Sequence, residues 1–163
     1  MSSTVVTTVL GVDPGTQTGW AIVRDGKVLG SNTVSFSAYA DKGYGAMFVV
    51  FRAFLTWAQD RYGPLTAIAY ELPFSRGAFT TRITTGMAAH VQERCAAWQC
   101  IPIPVNTMTL KKFATGSGKA KKPEMMLASY QYLTPKRDAQ TVSEHEADAI
   151  HIARWGYRFL NNF

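Results

Sequence analysis

A chain of 163 residues without a composition break suits one domain, large enough to bury a core without disulfides or a structural metal. Seventeen Lys and Arg against eleven Asp and Glu leave a formal charge of +6, which favours polyanionic partners through counterion release but names none. Cys95 and Cys100, the two cysteines, argue against a disulfide framework or a zinc module and fit a reducing cytoplasm. No apolar run reaches the ~18 residues of a membrane span, and the N-terminal stretch has neither a basic n-region nor a cleavage site, so no membrane association or targeting segment is expected.

In chain order, Val5 to Val12 is β-branched and apolar, the pattern of a buried central strand, and Asp13-Pro14-Gly15 follows as a turn. Gly19 to Arg24 and Lys27 to Phe36 flank Asp25-Gly26, a dipeptide favoured in two-residue hairpins, so the chain opens with three antiparallel strands. Met47, Val50, Phe51, Phe54, Leu55 and Ala58 form a helical stripe within Gly45 to Arg61, stopped by Gly63-Pro64. Leu65 to Tyr70 is strand-like, and Glu71 closes it just ahead of Leu72-Pro73. Phe79 to Gln99 is a long helix weakened by Gly86. Ile101 to Val105 is a short strand whose Pro102 and Pro104 place it at a sheet edge or in unusual pairing.

Asn106 or Thr107 caps a short helix through Phe113, and Thr115 to Gly118 is a flexible loop opening into a helix over Lys119 to Leu133. A polar connection over Pro135 to Thr141 leads to Ser143 and Glu146, read as a capping box ahead of an amphipathic helix over Ala147 to Leu160. Strands first, then helices interleaved with strands, predict a mixed α/β sheet with helices on its faces. Asp13 and Glu71 then end two strands. His145 and Asp148, three apart at the start of the last helix, share a face. Taken singly, Asp13 is equally a turn former, Glu71 a solvated strand end and Asp148 a residue favoured by the helix dipole, whereas His145 at a helix N-terminus asks for another reason.

Three stretches in order, Leu10-Gly-Val-Asp-Pro-Gly-Thr-Gln-Thr-Gly-Trp-Ala-Ile-Val23, Ala69-Tyr-Glu-Leu-Pro-Phe74 and His145-Glu-Ala-Asp-Ala-Ile-His-Ile-Ala153, resemble the RuvC Holliday-junction resolvases of the ribonuclease-H-like superfamily. The resemblance spans about residues 8 to 155 and rests on the combination, since Gly-x-Asp-Pro-Gly alone is a short string. It implies a single nuclease domain over residues 1–163, with a mixed five-stranded sheet carrying helices on both faces. It implies a catalytic and metal-binding set of Asp13, Glu71, His145 and Asp148, with two Mg²⁺ ions per site for which Mn²⁺ can substitute. Many members carry an aspartate where His145 stands, which leaves that histidine as either a metal ligand or a general base. Glu144 and Glu146 are candidates for a supporting part.

The resemblance further implies four-way DNA junctions as substrate, cut by paired symmetric nicks that leave 5′-phosphate and 3′-hydroxyl ends, and a homodimer to make the pair. Lys111 and Lys122 match the two lysines that the family uses near the scissile phosphate, Lys122 among the catalytic set, with Lys112 an equal register choice for Lys111. Phe74 matches the family's aromatic that stacks on an unpaired base. Arg76 and Arg82 fall in or beside the expected DNA-contacting loop, Ser75 to Arg82, and Lys119, Lys121 and Lys136 extend the basic segment. A bacterial or phage-infected cytoplasm is the expected setting. The alternatives are a nuclease of the same fold that prefers forks, flaps or hybrids, and a non-catalytic junction-binding protein. An actin-like nucleotide-binding fold shares the Asp-Pro-Gly-Thr loop but needs two domains of this size. The two-fold interface is expected on the helix over Phe79 to Gln99, with Met87, Val91 and Trp98.

Overall fold

The structure is a computed structural model that describes residues 5–133 and 137–162. A mixed sheet in the order β3-β2-β1-β4-β5 forms its centre. β1 (Thr8–Asp13) runs antiparallel to β2 (Gln17–Arg24), which pairs antiparallel with β3 (Lys27–Ser35). Asp25 and Gly26 both adopt positive φ, 48° and 83°, as the tight hairpin between β2 and β3 requires. The helix α1 (Tyr44–Tyr62) carries the chain across to β4 (Ala67–Glu71), parallel to β1. α2 (Ala78–Trp98) then leads to β5 (Ile101–Val105), parallel to β4 at the sheet edge, where Pro102 and Pro104 are tolerated.

Side chains alternate across the sheet, so each strand feeds two cores. Leu10, Val12, Ile22, Ile68 and Tyr70 pack with Met47, Phe51 and Leu55 of α1 and Ile83, Met87 and Val91 of α2. On the other face, Val9, Ala69, Ile103 and Val105 meet Leu110 of α3 (Thr107–Thr115), Met125 of α4 (Lys122–Ser129) and Ile152 of α5 (Glu144–Leu160). Ala21 and Val23 pack beneath Ala149, Ile150 and Ala153 of α5. This is the ribonuclease-H-like arrangement expected from the sequence, with helices on both faces. No helix among the described residues is long and apolar enough to cross a membrane.

Several boundaries differ from expectation. β1 starts at Thr8, because Val5 and Val6 lie exposed outside the sheet. The helix expected over Lys119 to Leu133 is only α4. Before it, the Ala120 amide turns back to the Ser117 carbonyl, and Pro123 lacks the N–H that a longer helix would use. After it, Ser129 Oγ bonds the Met126 carbonyl and Tyr130–Tyr132 tightens into a 3-10 turn. Part of the connection over Pro135 to Thr141 lies outside the described residues; its end, Ala139–Thr141, is another 3-10 turn.

The capping box is half formed. Ser143 Oγ accepts the Glu146 amide at 3.0 Å, but the Glu146 carboxylate turns inward, accepting from Ser31 Oγ at 2.7 Å and from the Arg137 guanidinium. Met87 and Val91, expected at a two-fold interface, are fully buried in the chain's own core. Cys95 and Cys100 are free, buried thiols at the left-handed turn that closes α2.

Candidate active site

β1 and β4 are neighbours in register, with Val12 opposite Tyr70, so Asp13 and Glu71 leave the sheet side by side at the same end. Asp13 also stands opposite Gly19 on β2. A side chain at Gly19 would collide with the His145 carbonyl, so the missing Cβ is what lets the first turn of α5 lie directly on β2. The same helix crosses β1 at Gly11, where a Cβ would run into the Ala149 and Ala153 backbone. Thr33 Oγ1 and Ser143 Oγ, 2.6 Å apart, tie the start of α5 to β3.

Held there, His145 places Nδ1 3.0 Å from Asp13 Oδ2. Asp148, one turn further along the same face, lines the same cavity of about 310 Å³ as Asp13, Glu71, Glu144 and His145. Thr107 Oγ1, at the start of α3, donates to Glu71. The rest of the cavity wall mixes apolar side chains, Leu72, Phe79, Ile83, Leu110, Met125 and Met126 among them, with polar and basic ones.

That setting makes ionisation of the carboxyls costly. Burial pushes Asp13 up, against the opposing bond and charge of His145. Burial likewise raises Glu71, partly offset by Thr107, with Asp13 adding repulsion. Asp148 is pushed up to about 8 by burial, then by the charges of Asp13 and Glu71. His145 is raised, chiefly through its bond to Asp13. Glu144 is lowered, chiefly because Lys122 donates to it. The site thus gathers acids whose ionisation is opposed chiefly by burial, with Arg76 and Lys111 offsetting part of the cost.

The basic candidates divide into two groups. Lys111, Lys122 and Arg76 line the cavity, whereas Arg82, Lys112, Lys119 and Lys121 stand outside it. Arg82 lies 6.0 Å from the Tyr44 ring, and Lys119 borders a separate depression between α3 and α4. Lys136 lies outside the described residues. Phe74 is 47% exposed at the rim, with the Arg76 guanidinium 4.2 Å from its ring centre. Sequence reasoning missed Gly19 and Thr107, and nothing in their local pattern marks them, since both act through neighbours distant in sequence.

Among the described residues, no three His, Cys, Asp or Glu side chains stand as a ready coordination cluster. Asp13 and Glu71 are instead engaged by His145 and Thr107. The donor set nevertheless suits a hard divalent cation: three half-buried carboxyls and one imidazole around a single cavity, with mutual repulsion that such a charge relieves.

The sheet order, with acids ending its two central strands, is that of the ribonuclease-H-like fold. No protein-family model matches the chain. Crossover junction endodeoxyribonuclease RuvC of Streptomyces avermitilis is 32% identical over 150 residues, which is 89% of this chain and 84% of the relative. RuvC of Streptomyces griseus subsp. griseus is 31% identical over 152 residues, 89% of this chain and 72% of the relative. The chain belongs to the RuvC family of crossover junction endodeoxyribonucleases. In fold it is similar to Thermus thermophilus RuvC in complex with a Holliday junction substrate, with a TM-score of 0.80 at 21% identity over 96% of both chains. Another Thermus thermophilus RuvC structure matches with a TM-score of 0.77 at 21% identity, over 97% of this chain and 96% of that one.

Proposed function

We propose that the protein is a Holliday junction resolving endonuclease, which cuts a phosphodiester in each of two symmetry-related strands of a four-way DNA junction and leaves 5′-phosphate and 3′-hydroxyl ends. The observation that carries this reading is the convergence of Asp13, Glu71, Asp148 and His145 on one cavity that Lys111 and Lys122 also line, in a chain of this family. Asp13, Glu71, Asp148 and His145 would hold two divalent cations, Mg²⁺ or in substitution Mn²⁺, whose charge would lower the pKa of a bound water and offset negative charge on the phosphate.

The chain's own groups do the rest. Lys111 and Lys122 receive non-bridging phosphate oxygens, as ammonium groups at the cavity wall are suited to do. His145, with Nδ1 engaged by Asp13, retains Nε2 as the nitrogen to take a proton or join the ligand set. Phe74, exposed at the rim, offers a ring for an unpaired base, a contact that contributes about 1–3 kcal/mol per base. Arg76, Arg82, Lys112, Lys119 and Lys121 contribute contacts to the junction backbone, with a salt dependence to match. A homodimer supplies two such sites, its α2 contacts made by outward residues such as Ala89 and Ala96, since Met87 and Val91 are committed to the core. The bacterial relatives support the cytoplasm of a bacterial cell or phage-infected host as its setting.

The test is a panel of substrates, a four-way junction, a fork, a flap, a linear duplex and an RNA–DNA hybrid, incubated with the native chain and Mg²⁺ or Mn²⁺. Paired nicks at symmetric positions in the junction are expected. Preference for forks, flaps or hybrids would replace junction specificity with a broader nuclease, and junction binding without cutting would leave a binding protein.

A further inference from the structure

We propose that Glu144 is a positioning residue for Lys122, holding the lysine ammonium at the rim of the cavity with a proton left for a phosphate oxygen. The inference rests on the nuclease reading. Lys122 opens α4 and Glu144 opens α5, so the pair spans the gap between two helix starts on either side of the cavity mouth. Lys122 Nζ lies 3.0 Å from Glu144 Oε1 and 2.9 Å from Oε2. An ammonium carries three protons, and a carboxylate that engages it with both oxygens leaves at least one free.

The lysine side chain is 73% exposed, and a four-carbon stem at such exposure ranges over many rotamers unless something holds its end. Glu144 is the better-anchored partner. Its backbone begins a helix whose start is fixed by the Ser143 cap and by the close approach at Gly19, and its carboxylate also lies 3.7 Å from His145 Nε2. A carboxylate at the mouth of a phosphate site repels the substrate, which makes its placement costly unless it orients something.

The experiment compares junction cleavage by the native chain, Glu144→Gln, Glu144→Asp, Lys122→Gln and the double variant Glu144→Gln/Lys122→Gln. Junction affinity is measured separately in EDTA, and thermal melting is used to check folding. Positioning predicts that Glu144→Gln lowers kcat about fivefold, the modest size that a largely exposed ion pair permits. KM does not rise and affinity in EDTA is unchanged or tighter. Glu144→Asp recovers part of the rate, and Glu144→Gln costs nothing further once Lys122 is gone. An unchanged kcat with tighter binding would mean that Glu144 only repels DNA, and multiplicative losses would mean that it acts apart from Lys122; either overturns the inference. A native chain that cuts no junction would sink the nuclease reading and this inference with it, and is distinguished by appearing before any variant is compared.

Discussion

At the scale of single residues, the site is under electrostatic stress, and that has a consequence for pH. Asp148, at 3.8 in an unfolded chain and about 8 in the folded one, binds its proton more tightly when folded. Its contribution to stability is therefore present below the unfolded value and is lost as pH rises through the folded one. Asp13 and Glu71 are shifted in the same direction. His145, also raised, adds stability that is lost as pH climbs past its folded value, so all four act together. Metal-free protein is expected to melt at a lower temperature at pH 8 than at pH 5, and Mg²⁺ is expected to recover most of the difference; calorimetry across that range, with and without EDTA, checks it. Asp148→Asn, which removes the charge but keeps the shape, should raise the melting temperature of the metal-free chain at pH 8 by about 3–8 °C. No rise, or a rise equally large at pH 5, would contradict the assignment.

At the scale of elements, the site depends on how closely α5 approaches the sheet. Gly19→Ala places a methyl against the His145 carbonyl, and β2 and the start of α5 cannot both stay where they are. Overpacking of this kind costs about 1–3 kcal/mol, read as a shift in the urea midpoint, and junction cleavage should fall more steeply than stability because His145 and Asp148 move together. Glu146→Ala strips the buried partner from Ser31 and Arg137 and should cost about 1–3 kcal/mol by the same measurement, with Arg137 able to reach water.

β1, the Asp25-Gly26 hairpin, α1 and α2 were legible in the sequence because apolar periodicity and turn chemistry are local. Asp13, Glu71, His145 and Asp148 were legible as strand-end and helix-face positions that match a family pattern. The start of α4 was expected too early, although Pro123, in its first turn, is a local mark of a helix start. The inward turn of Glu146 was not legible, since it depends on Ser31 and Arg137 from elsewhere in the chain. Gly19 is a glycine within a strand until the helix that crosses it is known, and no local rule marks Thr107 as the donor to Glu71.

For the whole molecule, the +6 charge acts through its placement. Lys111 and Lys122 share the cavity with the acids, whereas Lys112, Lys119 and Lys121 lie beyond it, a division that suits one group to the scissile phosphate and the other to a duplex arm. Junction affinity should fall steeply with salt. Lys119→Gln or Lys121→Gln should each lower the slope of log affinity against log salt by about 1 while leaving the cutting step nearly intact. Lys122→Gln should instead lower the cutting rate. Equal effects of all three on binding alone would erase the distinction.

We propose that the four converging side chains form one cutting centre for branched DNA. It is tested most directly by the single-turnover rate of junction nicking in Mg²⁺ for native protein and Asp13→Asn, with junction affinity measured alongside. The expected result is a loss of at least about a hundredfold in rate with binding retained, because removing one member of a preorganised charged set costs that order. A variant that nicks the junction at the native rate would place the chemistry elsewhere in the molecule.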